Sequence, residues 1–509
     1  MATLEIMIAM VVLVMALTAV ILVLFGGQSI AVDTQTNQEA IYMAQKELEV
    51  ARALSRGTVA EFGSILPATS SEDIYSKGLE VSDISACAKK VTSNLDWTLE
   101  NRPQTISLSS IFSSIEAFTE AGSICSTTPP PRDDLRNPSS NHPNVLINTV
   151  NGESIAVLNK IVYLGVYDSN DNMDDLFIYD ASNTANPIPL GSLGIDWGPG
   201  NKLNGIVDLV AAYYPVTDKK YVFAAGVHGV YYDADDPGGG IPSEQASGQL
   251  QIVDVTNPLL PSQVASVSLP GVSGSCNSTC PGGRSIAFYN NRIYIGTHRV
   301  GGPEFHVFDV TDPTNPVHLG NTTSTQVDHN INDIEVRGTT AYLATSSDTE
   351  EVIALDVSNP GAISIDRTFD ARKSNGSPSS KDGRALYPIG NRVYLGVERA
   401  TAANDLDFYV LDEGDFSAAL GAKNFNTNQG AGITGIRVSD NLAFVSTRDP
   451  NDPFHIWDVA VPGSIAQWDV CDINFSVDPQ EIVYENGIVY SVTNQQSKLR
   501  IIESSPVCI

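Results

Sequence analysis

The residues able to do chemistry are sparse. DSNDNMDD, residues 168–175, sets Asp168, Asn170, Asn172 and Asp174 at alternate positions, hard oxygen donors of the kind calcium takes. The run has no glycine at its sixth position and no closing glutamate, so a plain polar hairpin loop is the simpler reading. Arg284, His298, His329, Asp333, Arg384, Glu398 and Arg448 stand at the ends of apolar runs. Mixed charges gathered there would bind a small polar ligand or a glycan, or pair with one another as filler. The 7 histidines have no paired spacing, and HExxH, CxxC and CxxCH are absent, so zinc and covalent haem have no motif. No nucleophile–base pair points to an enzyme. Four Asn-x-Ser/Thr sequons occur, at Asn277, Asn321, Asn375 and Asn474.

The elements that carry these residues repeat. A β-run ending in an acid and a turn recurs seven times, as in LQIVDVTNP, FHVFDVTDP and VIALDVSNP, with acids at Asp180, Asp254, Asp309, Asp356, Asp412, Asp458 and Glu503. Before each comes a run with a fixed aromatic: Tyr163, Phe223, Tyr294, Tyr342, Tyr394, Phe444 and Tyr490. A third run precedes that (SIAVLN, SIAFYN, DIEVRG and their counterparts). Three strands plus a fourth after the turn, repeated about every 50 residues, predict a β-propeller over 144–509. The acids cap the turns through backbone N–H groups. The spare strand NVLINTV, 144–150, is expected to complete the last blade and close the ring. DVTNPLLP and DVTDPTNP resemble the LVIVD-type repeats of bacterial surface propellers.

The chain opens differently. Residues 6–25 carry no charge and are long enough to cross a bilayer as a helix. Glu5 precedes them without a nearby cation, and a buried carboxylate needs a partner. Residues 28–56 show helical apolar spacing, and Gly57 suits a helix end. Met1-Ala2-Thr3-Leu4-Glu5, the apolar run and the amphipathic stretch IYMAQKELEVARAL together resemble mature type IV pilins, with the leader already removed. That resemblance implies an N-methylated terminus, and a filament in which the Met1 amine of one subunit neutralises Glu5 of another. Pilins commonly carry a proline near residue 26; here the first proline is Pro67, so any break in the helix is expected at Gly26-Gly27.

The expected fold class is therefore an α+β pilin, with a long spine helix (1–57) and a small β head (58–127), followed by a Pro-rich linker (128–143) and an all-β seven-bladed propeller (144–509). The head is expected to hold a hairpin over 89–98 and 104–112. Six cysteines, an even number, suit an oxidising exterior. Compartment, parity and proximity suggest the pairs Cys87–Cys125, Cys276–Cys280 and Cys471–Cys508. The net charge of −30 disfavours nucleic acid. The expected role is the structural subunit of an extracellular type IV pilus-like filament displaying the propeller for adhesion or glycan binding. A low-copy tip adhesin and a filament-displayed propeller enzyme are the alternatives. The expected partners are copies of the chain itself, the assembly machinery and inner membrane before assembly, and a surface ligand. No cofactor is implied beyond calcium.

Overall fold

In the computed structural model the described residues are 40–41, 43–46, 48, 50–51, 68–72, 74–85, 88–99, 102–113, 138–139, 145–146 and 151–504, the last without 169–173, 198–203, 215–216, 229–247, 273–281, 300–301, 399–404, 426–431, 440, 450–452, 470–477 and 495–497. The chain divides into two compact units, 1–129 and 130–509.

In the first unit, β1 (Ala68–Glu72), β2 (Tyr75–Ser85), β3 (Ala88–Leu99) and β4 (Arg102–Ser113) form an antiparallel sheet in chain order. The hairpin expected from the alternating pattern is β3–β4, in register from Ala88↔Ser113 to Leu99↔Arg102. Strands β1 and β2 were not anticipated, because SSEDIYSKGLEVSDIS is too polar to show a buried face. Val91, Ser93, Leu95 and Trp97 alternate inward on β3, and Ala40 and Ala44 pack with Tyr75, Leu95 and Trp97.

The α+β class is corrected. The described residues are almost entirely β; helix is confined to positions within 40–51 and two single 3-10 turns, Pro360–Ala362 and Pro462–Ser464. Among the described residues no helix is long and apolar enough to cross a membrane. Helical spacing over 28–56 is a local signal, whereas seven repeats of alternating strands commit most of the chain to sheet. Met1, Glu5, Gly26, Gly27, Asn170, Asn172 and all six cysteines lie outside the described residues.

The second unit is a seven-bladed β-propeller. Its innermost strands are Asn151–Leu158, Asn204–Tyr214, Gly283–Tyr289, Ile331–Arg337, Gly383–Ile389, Ile433–Ser439 and Pro479–Glu485. Each packs on the next, and the seventh packs on the first. The ring closes through strand addition. Leu499↔Val145 and Lys498↔Leu146 pair on the third strand of blade 7, as do Glu503↔Ser139 and Ser504↔Pro138. Pairing thus begins at Pro138, inside the stretch expected to be linker.

A blade has two apolar faces and must bury both. Seven apolar clusters fill the seven junctions, and every one contains one of the recurring aromatics: Tyr163, Phe223, Tyr294, Tyr342, Tyr394, Phe444 and Tyr490, all at most 2% exposed. At the rim, outer-strand glycines meet the proline turn of the next blade: Gly191 at Pro258, Gly320 at Pro360, Gly421 at Pro462. A Cβ at Gly320 or Gly421 would overlap the proline carbonyl oxygen.

The turn acids behave as their spacing predicts. Asp180, Asp254, Asp309, Asp356, Asp412 and Asp458 each accept a hydrogen bond from the backbone N–H two residues on, at 2.8–2.9 Å. Asp309→Ala is expected to cost about 1 kcal/mol, the usual value of such a cap, with Asp309→Asn retaining part of it. Urea unfolding of the two variants beside the parent checks this.

Candidate functional site

Every inner strand carries a register shift near its start: between Gly152/Ser154, Ile206/Asp208, Gly283/Ser285, Ile331/Asp333, Gly383/Ala385, Ile433/Gly435 and Pro479/Glu481. The residues inside these bulges are Glu153, Val207, Arg284, Asn332, Arg384, Thr434 and Gln480, six of them polar. A bulge re-aims its side chain out of the alternating pattern. At the same level, the residue after the second strand donates its N–H back to the residue before the inner strand. His298 donates to Gly282, Ser346 to Asn330, Glu398 to Asp382, Arg448 to Gly432 and Asn494 to Asp478. These two sets form the rim of one channel mouth.

The mouth gathers five of the residues expected there. Arg284 Nη1 lies 3.3 Å from His298 Nδ1. Burial, reinforced by Arg284, pulls the His298 pKa down to about 3, so the ring is neutral. Arg384 is ion-paired with Glu398. Arg448 lies near Glu153 and Asp478, and Arg284 near Glu153 and Asp382. Burial lifts Glu153 to about 7 against the pull of Arg448 and Arg284. Burial also raises Asp382, with Glu398 adding to it, and raises Asp478 against Arg448. His329 lies beside Asp328, which pairs with Arg299 at 2.7 Å. Of the calcium candidates, Asp174 accepts from the Ser192 hydroxyl, and Asp168 ends a strand. Among the described residues no group of three or more His, Cys, Asp or Glu is placed to hold a metal ion.

Asp333 is not a mouth group. It belongs to a deeper cluster with Asp208, Glu335, Glu481 and Arg437. Arg437 is the cation there, with Nη2 3.6 Å from Glu481 Oε1 and Nη1 3.8 Å from Glu335 Oε1. Its guanidinium also lies over the Tyr387 ring at 5.5 Å. The carboxylates latch blade to blade by accepting backbone N–H groups. Asp208 accepts from Ile286, Asp333 from Leu386, and Glu481 from Ile155 across the ring seam. Glu485 adds Asn159 and Lys160 at that seam.

Ser154 Oγ lies 2.7 Å from Glu481 Oε2 and 3.0 Å from Asp208 Oδ1. The hydroxyl has one hydrogen to give to these two acceptors and itself accepts from Leu209 N–H at 3.0 Å, so it ties Glu481 of the last blade to Asp208 of the second. Burial raises Asp208, Asp333, Glu335 and Glu481, and Asp208 is raised further by Glu481 and Asp333. Burial works against the Arg437 charge, but Glu335, Glu481 and Asp333 outweigh it and its pKa rises.

The sequence reading missed Glu153, Asp208, Glu335, Asp382, Arg437, Asp478 and Glu481. A signal existed: the bulge residue lies two positions before the buried Ile or Leu that starts each inner run.

No protein-family model matches this chain, and no curated protein matches it. Among solved structures it is similar to BamB from Moraxella catarrhalis (11% identity, TM-score 0.39, 70% of this chain and 83% of that one). It is similar to the Dos1 propeller (10%, TM-score 0.44, 71% and 95%). It is also similar to the periplasmic gluconolactonase PpgL of Pseudomonas aeruginosa (11%, TM-score 0.43, 66% and 90%). The class is set by the chain's own closed ring: a β-propeller.

The raised channel carboxyls fix a pH dependence. Between the ordinary carboxyl value of 4.5 and about 7, the folded chain holds protons at Glu335 and Glu481 that the unfolded chain releases. Stability should therefore fall as pH rises through that window. The lowered turn acids Asp180, Asp309 and Asp356, held by side-chain and backbone hydrogen bonds, oppose this only below the window. Buried His298 and His306, which only the unfolded chain protonates between about 4 and 6.5, oppose it inside the window, and Glu153 and Glu351, also raised by burial, reinforce it and keep the sign. Melting temperature is expected to drop from pH 5 to pH 8, and Glu335→Gln and Glu481→Gln each to flatten that slope in a thermal titration.

Proposed function

We propose that this chain is the subunit of an extracellular type IV pilus-like filament that displays a β-propeller, and that the channel mouth binds a small polar ligand or glycan. The observation that carries the binding site is the convergence of Glu153, Arg284, His298, Arg384, Glu398 and Arg448, from four blades, on one rim. Planar donors and acceptors of both signs suit the hydroxyls of a sugar. Display rests on the apolar run 6–25 and Glu5, which suit a membrane stage followed by burial against copies of the same segment. Polymerisation is assigned to that segment alone. The proposed location is the cell surface, with the inner membrane before assembly. The partners are other copies of the chain, its assembly machinery and the surface ligand. A low-copy tip adhesin uses the same mouth.

A displayed enzyme is the second reading, favoured by one observation: Glu153 is lifted to about 7, where a carboxyl suits acid–base work. Binding is preferred because Arg284 and Arg448 flank Glu153 and no nucleophile is placed beside it among the described interactions.

Arg284→Gln and Arg448→Gln are each expected to weaken glycan binding by about tenfold, roughly 1.4 kcal/mol, with the melting temperature little changed. Glycan-array screening of the purified full chain, then calorimetry, reads this; equal binding by parent and both variants would sink the mouth as the site. Glu5→Ala is expected to abolish filaments while leaving the chain in the membrane, and micrographs of normal filaments from that variant would refute the assembly reading.

A further inference from the structure

Two of the four sequons fall on described residues, and the structure separates them. Asn321 ends an outer strand, paired with His306, and Thr322 beside it is 1% exposed. Asn321 is itself only partly exposed, and its backbone is held in the sheet. Asn375 lies in an exposed hairpin between blades 4 and 5. The arms of that hairpin are joined by Lys373 N–H to Ser377 O at 2.9 Å and by the Arg372↔Pro378 bridge. Gly376 at its tip has φ +81°, and a Cβ there would meet nothing within 4 Å, so the turn stands in open space.

Within the turn, the Asn375 side-chain oxygen accepts from Ser377 N–H at 3.0 Å and from the Ser377 hydroxyl at 2.7 Å. The hydroxyl that defines the sequon is thus already aligned with the asparagine it specifies. Both contacts fall on Oδ1, and neither engages Nδ2. Ser374, Asn375, Gly376 and Ser377 are all exposed, so a transferase could reach the tripeptide without unfolding a blade.

We propose that Asn375 is an N-glycan acceptor, whereas Asn321 is not one in the folded chain. The donor class is an oligosaccharide joined through phosphate to a membrane polyisoprenoid. C1 of the first sugar bonds to Asn375 Nδ2, and the C1–O bond to phosphate breaks. The lipid-linked phosphate leaves with that electron pair, and one amide proton passes to a base. No oxidant or reductant is involved. In the cell the step rests on the exported location proposed above, since the transfer is made on the outer side of the membrane.

The test has two arms. In the first, intact cells are surface-labelled, the labelled full-length chain is isolated, and the tryptic peptide Ser374–Lys381 is weighed. Whole sugar residues on that peptide are expected, removable by an amidase that converts the asparagine to aspartate. They should be lost completely in Asn375→Gln and almost completely in Ser377→Ala, with both melting temperatures at the parental value. Thr323→Ala, which destroys the Asn321 sequon, should change nothing, and Pro378→Ala should keep or raise occupancy. An unmodified peptide in the surface pool overturns the proposal. A chain absent from the surface counts instead against the display reading. The second arm needs no export. The purified folded chain is incubated with an oligosaccharyltransferase that accepts Asn-x-Ser and a lipid-linked oligosaccharide. Transfer to Asn375 without transfer to Asn321 supports the proposal; no transfer to Asn375, or equal transfer to Asn321, overturns it.

Discussion

Ring closure is the constraint on which the propeller depends. Each blade has two apolar faces, and six junctions can form between neighbours in sequence, but the seventh must join the ends of the ring. That junction is made by Val145, Leu146, Pro138 and Ser139 adding to the strand Lys498–Ser504, and by Glu481 and Glu485 accepting four contacts from 154–160. If it opened, the cluster around Tyr490, which packs Ile155, Val162 and Leu164 of blade 1 against Val492, Leu499 and Ile501 of blade 7, would lose a wall, and the first and last inner strands would lose their packing on each other. The carboxylates are strong acceptors at a seam with few strand pairs.

The same acceptors create the electrostatic problem of the channel. Four carboxyls share one guanidinium, and like charges at short range in a poorly solvated space do not all ionise. Burial pushes all four carboxyls toward the neutral form, with repulsion from neighbouring carboxyls adding to it at Asp208, Glu335 and Glu481, and a neutral carboxyl still accepts from a backbone N–H through its carbonyl oxygen.

The propeller was legible because its signals repeat. The aromatic in the second strand and the acid that ends the third have local physical causes, a junction to fill and a turn to cap, and seven copies make them visible. The N-terminal reading rested on a single copy of each signal. An amphipathic pattern over 28–56 and an apolar run do not reveal that Ser70, Ser76 and Lys77 belong to strands; those depend on the pairings Ser70↔Lys77 and Ser71↔Ser76. The mouth was legible in part. His298, Glu398 and Arg448 follow apolar runs and could be counted off, while Glu153 sits in a bulge that shifts the alternation by one. The channel cluster was hidden for a different reason: Asp208, Glu335, Arg437 and Glu481 occupy inward positions of strands where a polar residue looks like a solvent-facing one, and only the curvature of the ring brings them together.

Outer-strand glycines dock onto proline turns from blade 1 to 2, from 3 to 4 and from 5 to 6. At these joints the distance between neighbouring blades is set by main chain lying on main chain, with no side chain between them to yield. A methyl group added there would act as a wedge: it would force the outer edge of one blade away from the next and alter the pitch of the ring, and the apolar core nearer the axis would feel it only as a tilt.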